Sequence, residues 1–321
     1  MTIGFSTSLT LLINPVNTYT DKEVNDMEAQ SDMKVKFSCV VDQKAKFARQ
    51  AFVWASSLLK YAGQEPDSIL IHFVNQLNPE YKRIFDSWGI KTQMVKPFDS
   101  RHPHSNKLAQ LESESLHSVD YIVLCDCDIA FCGNISSWIT GASIRACIVQ
   151  YASLTFGQWR QIFQQAGLKL PAARMKALCE DVETLPTYCN GGIIIIPQLI
   201  FQNLRKVWPS WDRWLLDRPG LVKPYGYFTD QISFMLSCEE LGLSINYLPI
   251  ELNFPLNARF LDQIQIASRK KEIHPIVLHC GSGTNKGPRD FLLPLNIDSV
   301  DRQIRKINDL IRLRRRLVEA Y

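Results

Sequence analysis

The sequence predicts an α/β fold with a mostly parallel central sheet and helices on both faces. Short apolar runs of strand length, KFSCVV, ILIHFV, TQMVK and YIVLCD, follow one another from residue 36 onward. The first two intervals between them, AKFARQAFVWASSLLKYAG and NPEYKRIFDSWG, carry apolar residues at helical spacing and close on Gly. Strands separated by helices pair in parallel and bury both faces, which is why these strands are apolar throughout instead of alternating. Ligands of such sheets settle at the carboxyl ends of the strands, so chemistry is expected after Val41, after Val74 and around Asp126.

Further along, RACIVQYA and YCNGGIIIIP read as two more strands, flanking a helical insertion from about 156 to 183 that includes FGQWRQIFQQAGL and PAARMKALCEDV. A Trp-rich helix (KVWPSWDRWLL), the segment YFTDQISFMLS and the short strands INYLPI and IVLHC complete the pattern. There is no internal repeat and no linker composition strong enough to divide the chain. The organisation expected is an irregular polar lead-in over 1–33, one domain over 34–295 with an insertion at 133–188, and a basic C-terminal helix over 296–321.

Composition narrows the function. A chain of 321 residues that is 46% hydrophobic can bury a sizeable core. Its 36 Lys and Arg against 32 Asp and Glu leave a net charge of +4, too small and too dispersed for a nucleic-acid binder. The nine cysteines are scattered through apolar stretches, as small buried residues of a protein in a reducing cytosol are. The segment IGFSTSLTLLI is too short to span a bilayer and has no basic region before it. The tail RQIRKINDLIRLRRR concentrates basic residues around an apolar stripe of Ile304, Ile307, Leu310, Ile311 and Leu313. Such a helix either docks its stripe on the protein and solvates its charges, or lies on the anionic inner face of a membrane.

Asp126 and Asp128, in YIVLCDCDIAF, end a very apolar strand with one residue between them, so both side chains leave on the same side. A D-x-D triplet arises about once by chance in a chain of this length. Its position is more telling, because a buried strand that ends in two carboxylates needs something to compensate their charge. Mg²⁺ or Mn²⁺ would do so, being hard cations suited to carboxylate oxygens. Zinc on Cys125, Cys127 and Cys132 is the weaker reading, since the paired C-x₂₋₄-C spacing of structural zinc sites is missing.

The order DCD, YCNGGIII, FTDQ and IVLHCGSGTNKG resembles glycosyltransferase family 8 and its glycogenin-like and lipopolysaccharide sugar transferase relatives, over roughly residues 35 to 290. The resemblance implies a GT-A fold and transfer of a sugar from a nucleotide-diphospho-sugar, by preference a uridine nucleotide, to a hydroxyl with retention of configuration. It implies a Mn²⁺ or Mg²⁺ held by Asp126, Asp128 and His279. It places Asn190, Gly191 and Gly192 beside the donor sugar, Asp230 on donor hydroxyls, and Gln231 against the anomeric carbon, with Asp230, Gln231 and Asp128 forming the catalytic set. Gly281 and Lys286 would cradle phosphate, Lys107 would face donor phosphate or sugar, and Asp42 would sit near the base. The Lys-Pro-Trp that follows the His in the family is altered here, because Lys286 precedes Gly287 and Pro288 and no Trp follows.

Plainer alternatives stand beside several of these. Asn190 and Gly191 could form a turn entering a strand. Thr229, Asp230 and Asp42 could cap helices. Lys107 could be a solvated lysine. For the whole protein the rivals are a sugar-phosphate nucleotidyltransferase, disfavoured because VVDQKAKFARQ has no glycine, and a catalytically silent carbohydrate-binding protein on the same fold. The acceptor expected is a glycan, a lipid-linked sugar or a protein, bound by the insertion at 133–188.

Overall fold

The computed structural model describes residues 33–151, 154–179, 182–256, 272–281 and 291–319. The lead-in expected over 1–33 falls, Met33 apart, outside them, and so does Lys286.

Strands β1 (Val35–Val41), β2 (Ile69–Val74), β3 (Lys91–Val95) and β4 (Tyr121–Cys125) pair in parallel, with β1 between β2 and β4. Helix α1 (Ala45–Lys60) joins β1 to β2 and buries Ala48, Ala51, Phe52, Trp54, Ala55 and Leu58. Helix α2 (Pro79–Ser87) joins β2 to β3. It starts where Asn78 accepts hydrogen bonds from the amides of Glu80 and Tyr81, with Pro79 in the first turn, a start signal readable in the sequence. Gly63 and Gly89 follow the two helices at φ of 66° and 75°, the left-handed conformation that ends a helix most easily on Gly.

Beyond β4 lies β5 (Ile129–Phe131), and then β6 (Ile144–Ile148) returns to the main sheet. Residues 133–188 are therefore not all insertion, since β6 belongs to the central sheet. Helix α3 (Phe156–Ala166) forms as expected, started by a capping box between Thr155 and Gln158 and closed by Gly167 at φ 68°. The second half of the expected helical insertion is different. Strands β7 (Met175–Lys176) and β8 (Glu183–Thr184) form a small antiparallel pair there. The amides of Leu178 and Cys179 bond the carbonyls of Val149 and Gln150, so tertiary backbone pairing overrides the helical propensity of this segment.

Strand β9 (Cys189–Pro197) is buried at every position and runs antiparallel between β4 and β6. With β10 (Ile245–Tyr247) parallel to β6, the seven-stranded order is β10-β6-β9-β4-β1-β2-β3. Helices α4 (Gln198–Leu216) and α5 (Thr229–Glu240) cover one face, where Phe201, Leu204, Trp208, Phe234 and Cys238 pack on Ile122 and Leu124. The alternate residue Cys125 reaches Trp54 of α1 on the other face, so the expected helix-sheet-helix layering is present.

A second, three-stranded sheet joins β11 (Phe254–Pro255), β12 (Val277–His279) and β5. Helix α6 (Asp298–Glu319) lies across α1 and buries Val300, Ile304, Ile307, Leu310 and Ile311. Lys306 ties it down at both ends of its side of the contact, accepting from the Tyr61 hydroxyl through its carbonyl and donating to the Cys132 carbonyl through Nζ. Of the two readings of the basic tail, the apolar stripe is thus used inside the protein. No helix among the described residues is long and apolar enough to cross a membrane.

Candidate active site

Asp126 and Asp128 occupy the short link between β4 and β5, and both ends of that link are held by backbone. The amide of Asp126 donates to the Gly192 carbonyl (3.0 Å), and the amide of Cys280 donates to the Asp128 carbonyl (2.8 Å). The second of these comes from register. Strand β12 pairs antiparallel with β5 so that His279 stands opposite Ile129, next to Asp128. A residue far along the chain is thereby delivered to the acidic pair by the small sheet alone.

His279 Nε2 lies 3.4 Å from Asp128 Oδ1 and 3.9 Å from Asp126 Oδ2. One ligand atom from each of the three residues falls within 4.8 Å of the others. Two carboxylates and an imidazole at that spacing suit a divalent cation such as Mn²⁺ or Mg²⁺, so the residues fit the metal that the resemblance implied. Burial opposes charge on His279, but the carboxylates of Asp128 and Asp126 outweigh it and raise its pKa.

Lys107 is buried, not solvated. Its ammonium sits 2.5 Å from Asp126 Oδ1 and donates to the Gly191 carbonyl. Burial lowers its pKa, and the attraction of Asp126 and Asp230 more than restores it. Asp230, in the first turn of α5, is buried too, and desolvation first and foremost pushes its carboxyl up to about 7 despite the nearby Lys107. Neither Asp230 nor Thr229 caps α5, which begins after Phe228 without a side-chain cap. Asp42 does not cap α1 either, since that helix starts after Lys44. Its carboxylate accepts from the Gln43 amide and from Asn106 instead.

The glycines of the YCNGG segment lie inside β9, not in a turn, and neither could carry a side chain without displacing its neighbours. A methyl at Gly191 would lie 2.8 Å from Lys107 Nζ and 3.6 Å from Gln231 Cγ. At Gly192 it would meet Asn253 Oδ1 at 2.6 Å and His279 Nδ1 at 2.8 Å. At Gly281 it would lie 3.9 Å from both Asp128 Oδ2 and His279 Nε2. The side chain of Asn190 is held by protein on both its oxygen and its nitrogen. Its Oδ1 accepts from the Gly192 amide and from Asn253 Nδ2, and its Nδ2 donates to Gln150 Oε1.

Asp126, Asp128, His279, Lys107, Asn190, Gly191, Gly192, Asp230, Gln231 and Gly281 thus gather in one place, with Asp42 set aside beside Asn106. The carboxyl end of β2 contributes none of them. Sequence reasoning missed Asn253 and Gln150, both buried. The signal for Asn253 was an amide set between Leu252 and Phe254, a place where burial is tolerated only with its hydrogen bonds met. Behind the acidic pair a small cavity of about 60 Å³ opens between α1 and α6, lined by Lys46, Arg49, Cys127, Asp128, Cys280 and Arg314 among others. All nine cysteines are buried free thiols, in keeping with the apolar reading of them.

A family model described as the Rhodobacterales glycosyltransferase domain matches residues 38–242. The chain belongs to that family. This glycosyltransferase is similar in structure to LgtC, a galactosyltransferase solved in complex with donor and acceptor sugar analogues, at a TM-score of 0.55 and 14% identity over 86% of this chain and 95% of that one. An active-site Gln-to-Glu mutant of LgtC gives the same TM-score at 13% identity, again over 86% of this chain and 95% of that one. The bifunctional glycosyltransferase WbbM gives 0.51 at 13% identity over 87% of this chain and 52% of its own length. At such identities the likeness establishes the fold, which is GT-A. No curated protein sequence matches the chain. Both rivals from the sequence, the nucleotidyltransferase and the silent binding protein, give way to the family match.

Proposed function

We propose that this glycosyltransferase moves a sugar from a nucleotide-diphospho-sugar, by the family 8 resemblance a uridine one, to an acceptor hydroxyl with retention of configuration. The observation that carries the reading is the convergence of Asp126 and Asp128, from the β4–β5 link, with His279, from the end of β12, within 4.8 Å beside a buried Lys107. Asp126, Asp128 and His279 would hold Mn²⁺ or Mg²⁺, which when bound supplies positive charge against the departing diphosphate. Lys46, Arg49 and Arg314 around the cavity next to Asp128 complement the same anionic group. Gln231, packed over Gly191, presents an uncharged amide at the site. An amide is a poor nucleophile, so the residue favours a front-face displacement through an oxocarbenium-like state over a covalent glycosyl-enzyme. Asp230 orients donor hydroxyls, and catalysis is chiefly positional and electrostatic.

The acceptor, whether glycan, lipid-linked sugar or protein, is assigned to the elements of 133–188. The domain extends over 34–295, with α6 completing it. The basic outer face of α6 is a candidate for peripheral contact with an anionic membrane, which sedimentation with anionic and neutral vesicles tests directly.

The deciding experiment is a panel of nucleotide sugars scored for thermal stabilisation and donor hydrolysis with Mn²⁺, Mg²⁺ and chelator. A ligand that binds only the folded state raises its melting temperature. Stabilisation and turnover confined to the metal-loaded samples are expected. Equal hydrolysis in chelator overturns the metal, and inversion at the anomeric carbon, read by NMR of the product, overturns retention.

A further inference from the structure

Four side chains make one unbranched line of hydrogen bonds from the insertion to the acidic pair. Gln150 Oε1 accepts from Asn190 Nδ2 (2.8 Å), Asn190 Oδ1 accepts from Asn253 Nδ2 (2.7 Å), and Asn253 Oδ1 faces His279 Nδ1 (2.9 Å). Asn253 is wholly buried, and Gln150 and Asn190 nearly so, so none of these amides can exchange its partners for water.

An amide can be turned over in such a line without changing its shape, and a histidine ring can carry its proton on either nitrogen. What removes that freedom here is backbone. The amide of Gly192 lies 2.7 Å from Asn190 Oδ1, and a backbone N–H can only donate. The atom of Asn190 that meets it must therefore be oxygen. The atom of Asn253 that meets that same oxygen must be its NH₂, which leaves the Asn253 oxygen facing the ring. An acceptor in that place requires Nδ1 to carry the proton. Reversing either amide would set donor against donor in a buried position, at the cost of an unsatisfied polar group.

We propose that Asn253 is a positioning residue that fixes His279 as its Nδ1–H form, so that the Nε2 lone pair is the one turned toward Asp126 and Asp128. The inference rests on the metal reading for the use of that lone pair, while the proton on Nδ1 follows from the line of amides. An imidazole free in water prefers the opposite tautomer, with the proton on Nε2, which would aim a donor at a cation. Gly192 has a second part in the device, because its missing side chain is what lets Asn253, His279 and Asn190 meet. The arrangement is the outer support of a metal-ligating imidazole, built from amides in place of a carboxylate.

The test uses ¹⁵N-histidine-labelled full-length protein without metal, at a pH above the titration of His279. The ring nitrogens are expected to report Nδ1–H, and a ring found as Nε2–H in the wild type overturns the proposal without recourse to any variant. Asn253→Leu should move the ring toward Nε2–H. It should also weaken Mn²⁺ binding, followed by the electron paramagnetic resonance of free Mn²⁺, by about tenfold to a hundredfold. Asn253→Asp keeps an acceptor for Nδ1–H and should keep the tautomer. An Asn253→Leu protein that folds, retains Nδ1–H and binds Mn²⁺ as the wild type does sinks the idea. A wild type with the Nδ1–H ring and no affinity for Mn²⁺ upholds the tautomer assignment and removes the metal reading.

Discussion

The stretch from β1 to β4 and the stretch from β9 to α6 are held together in different ways. In the first, β1, β2 and β3 pair in chain order, β4 returns to lie beside β1, and the helices α1 and α2 cover the strands they join. In the second, the important contacts are single side chains reaching far. Lys107 reaches Gly191 across 84 positions, Asn253 reaches Asn190 across 63, and Tyr61 reaches Lys306 across 245. The first stretch is a platform assembled by pattern, and the second is a clamp assembled by individual bonds. The acidic pair stands where they meet.

The largest expected effect separates the site from both. Asp128→Ala should lower transfer roughly a thousandfold, by loss of a ligand to the cation, with little change in melting temperature. Full activity in Mn²⁺ would show that the clamp delivers His279 to a place where nothing is catalysed.

The next effect probes the clamp. Leu310 is wholly buried where α6 meets its neighbours, and Leu310→Ala should cost about 3 kcal/mol in denaturant unfolding. If the loss is under about 1 kcal/mol, α6 is an accessory and not part of the clamp.

A smaller effect sharpens the platform. His72 is wholly buried in β2, with Nδ1 against the Ser38 hydroxyl, whose own proton goes to Gln110. Burial pulls its pKa down to about 4. The unfolded chain takes up a proton near 6.5 that the native ring refuses until about 4, so stability is full above 6.5 and falls as the pH falls through that window. The loss between pH 7 and 5 should be about 2 kcal/mol by urea unfolding. It should be absent in His72→Asn, and an equal slope in that variant would assign the effect to other groups.

The smallest effect is local. Asn78→Ala removes the cap of α2 and should cost about 1 kcal/mol of stability with activity unchanged.

The same division explains what could be read from the sequence. The platform was legible because apolar runs, Gly stops and the Asn78-Pro79 start act within a few residues of themselves. The acidic pair was legible because two carboxylates at the end of YIVLC have no cheap structural use. The β7–β8 pair was not, since PAARMKALCEDV has helical spacing and yields only to carbonyls of Val149 and Gln150 that sequence cannot place. The antiparallel run of β9 was equally hidden, because an apolar strand looks the same in either direction. For Lys107 a place facing the donor and a solvated one both stayed open, because sequence cannot show that Asp126 and the Gly191 carbonyl surround it. Asn253 and Gln150 acquire meaning only through partners brought from elsewhere in the chain.

The pairing of β12 with β5 also sets a timetable. On a ribosome adding about 5–20 residues per second, Asp128 emerges about 8 to 30 seconds before His279. Through that interval β5 has an open edge where β12 will later pair, and the two carboxylates stand without their imidazole. A nascent chain of this protein would therefore hold a finished platform well before it holds a site, and its competence for chemistry would arrive at one late step, when Val277, Leu278 and His279 close the small sheet.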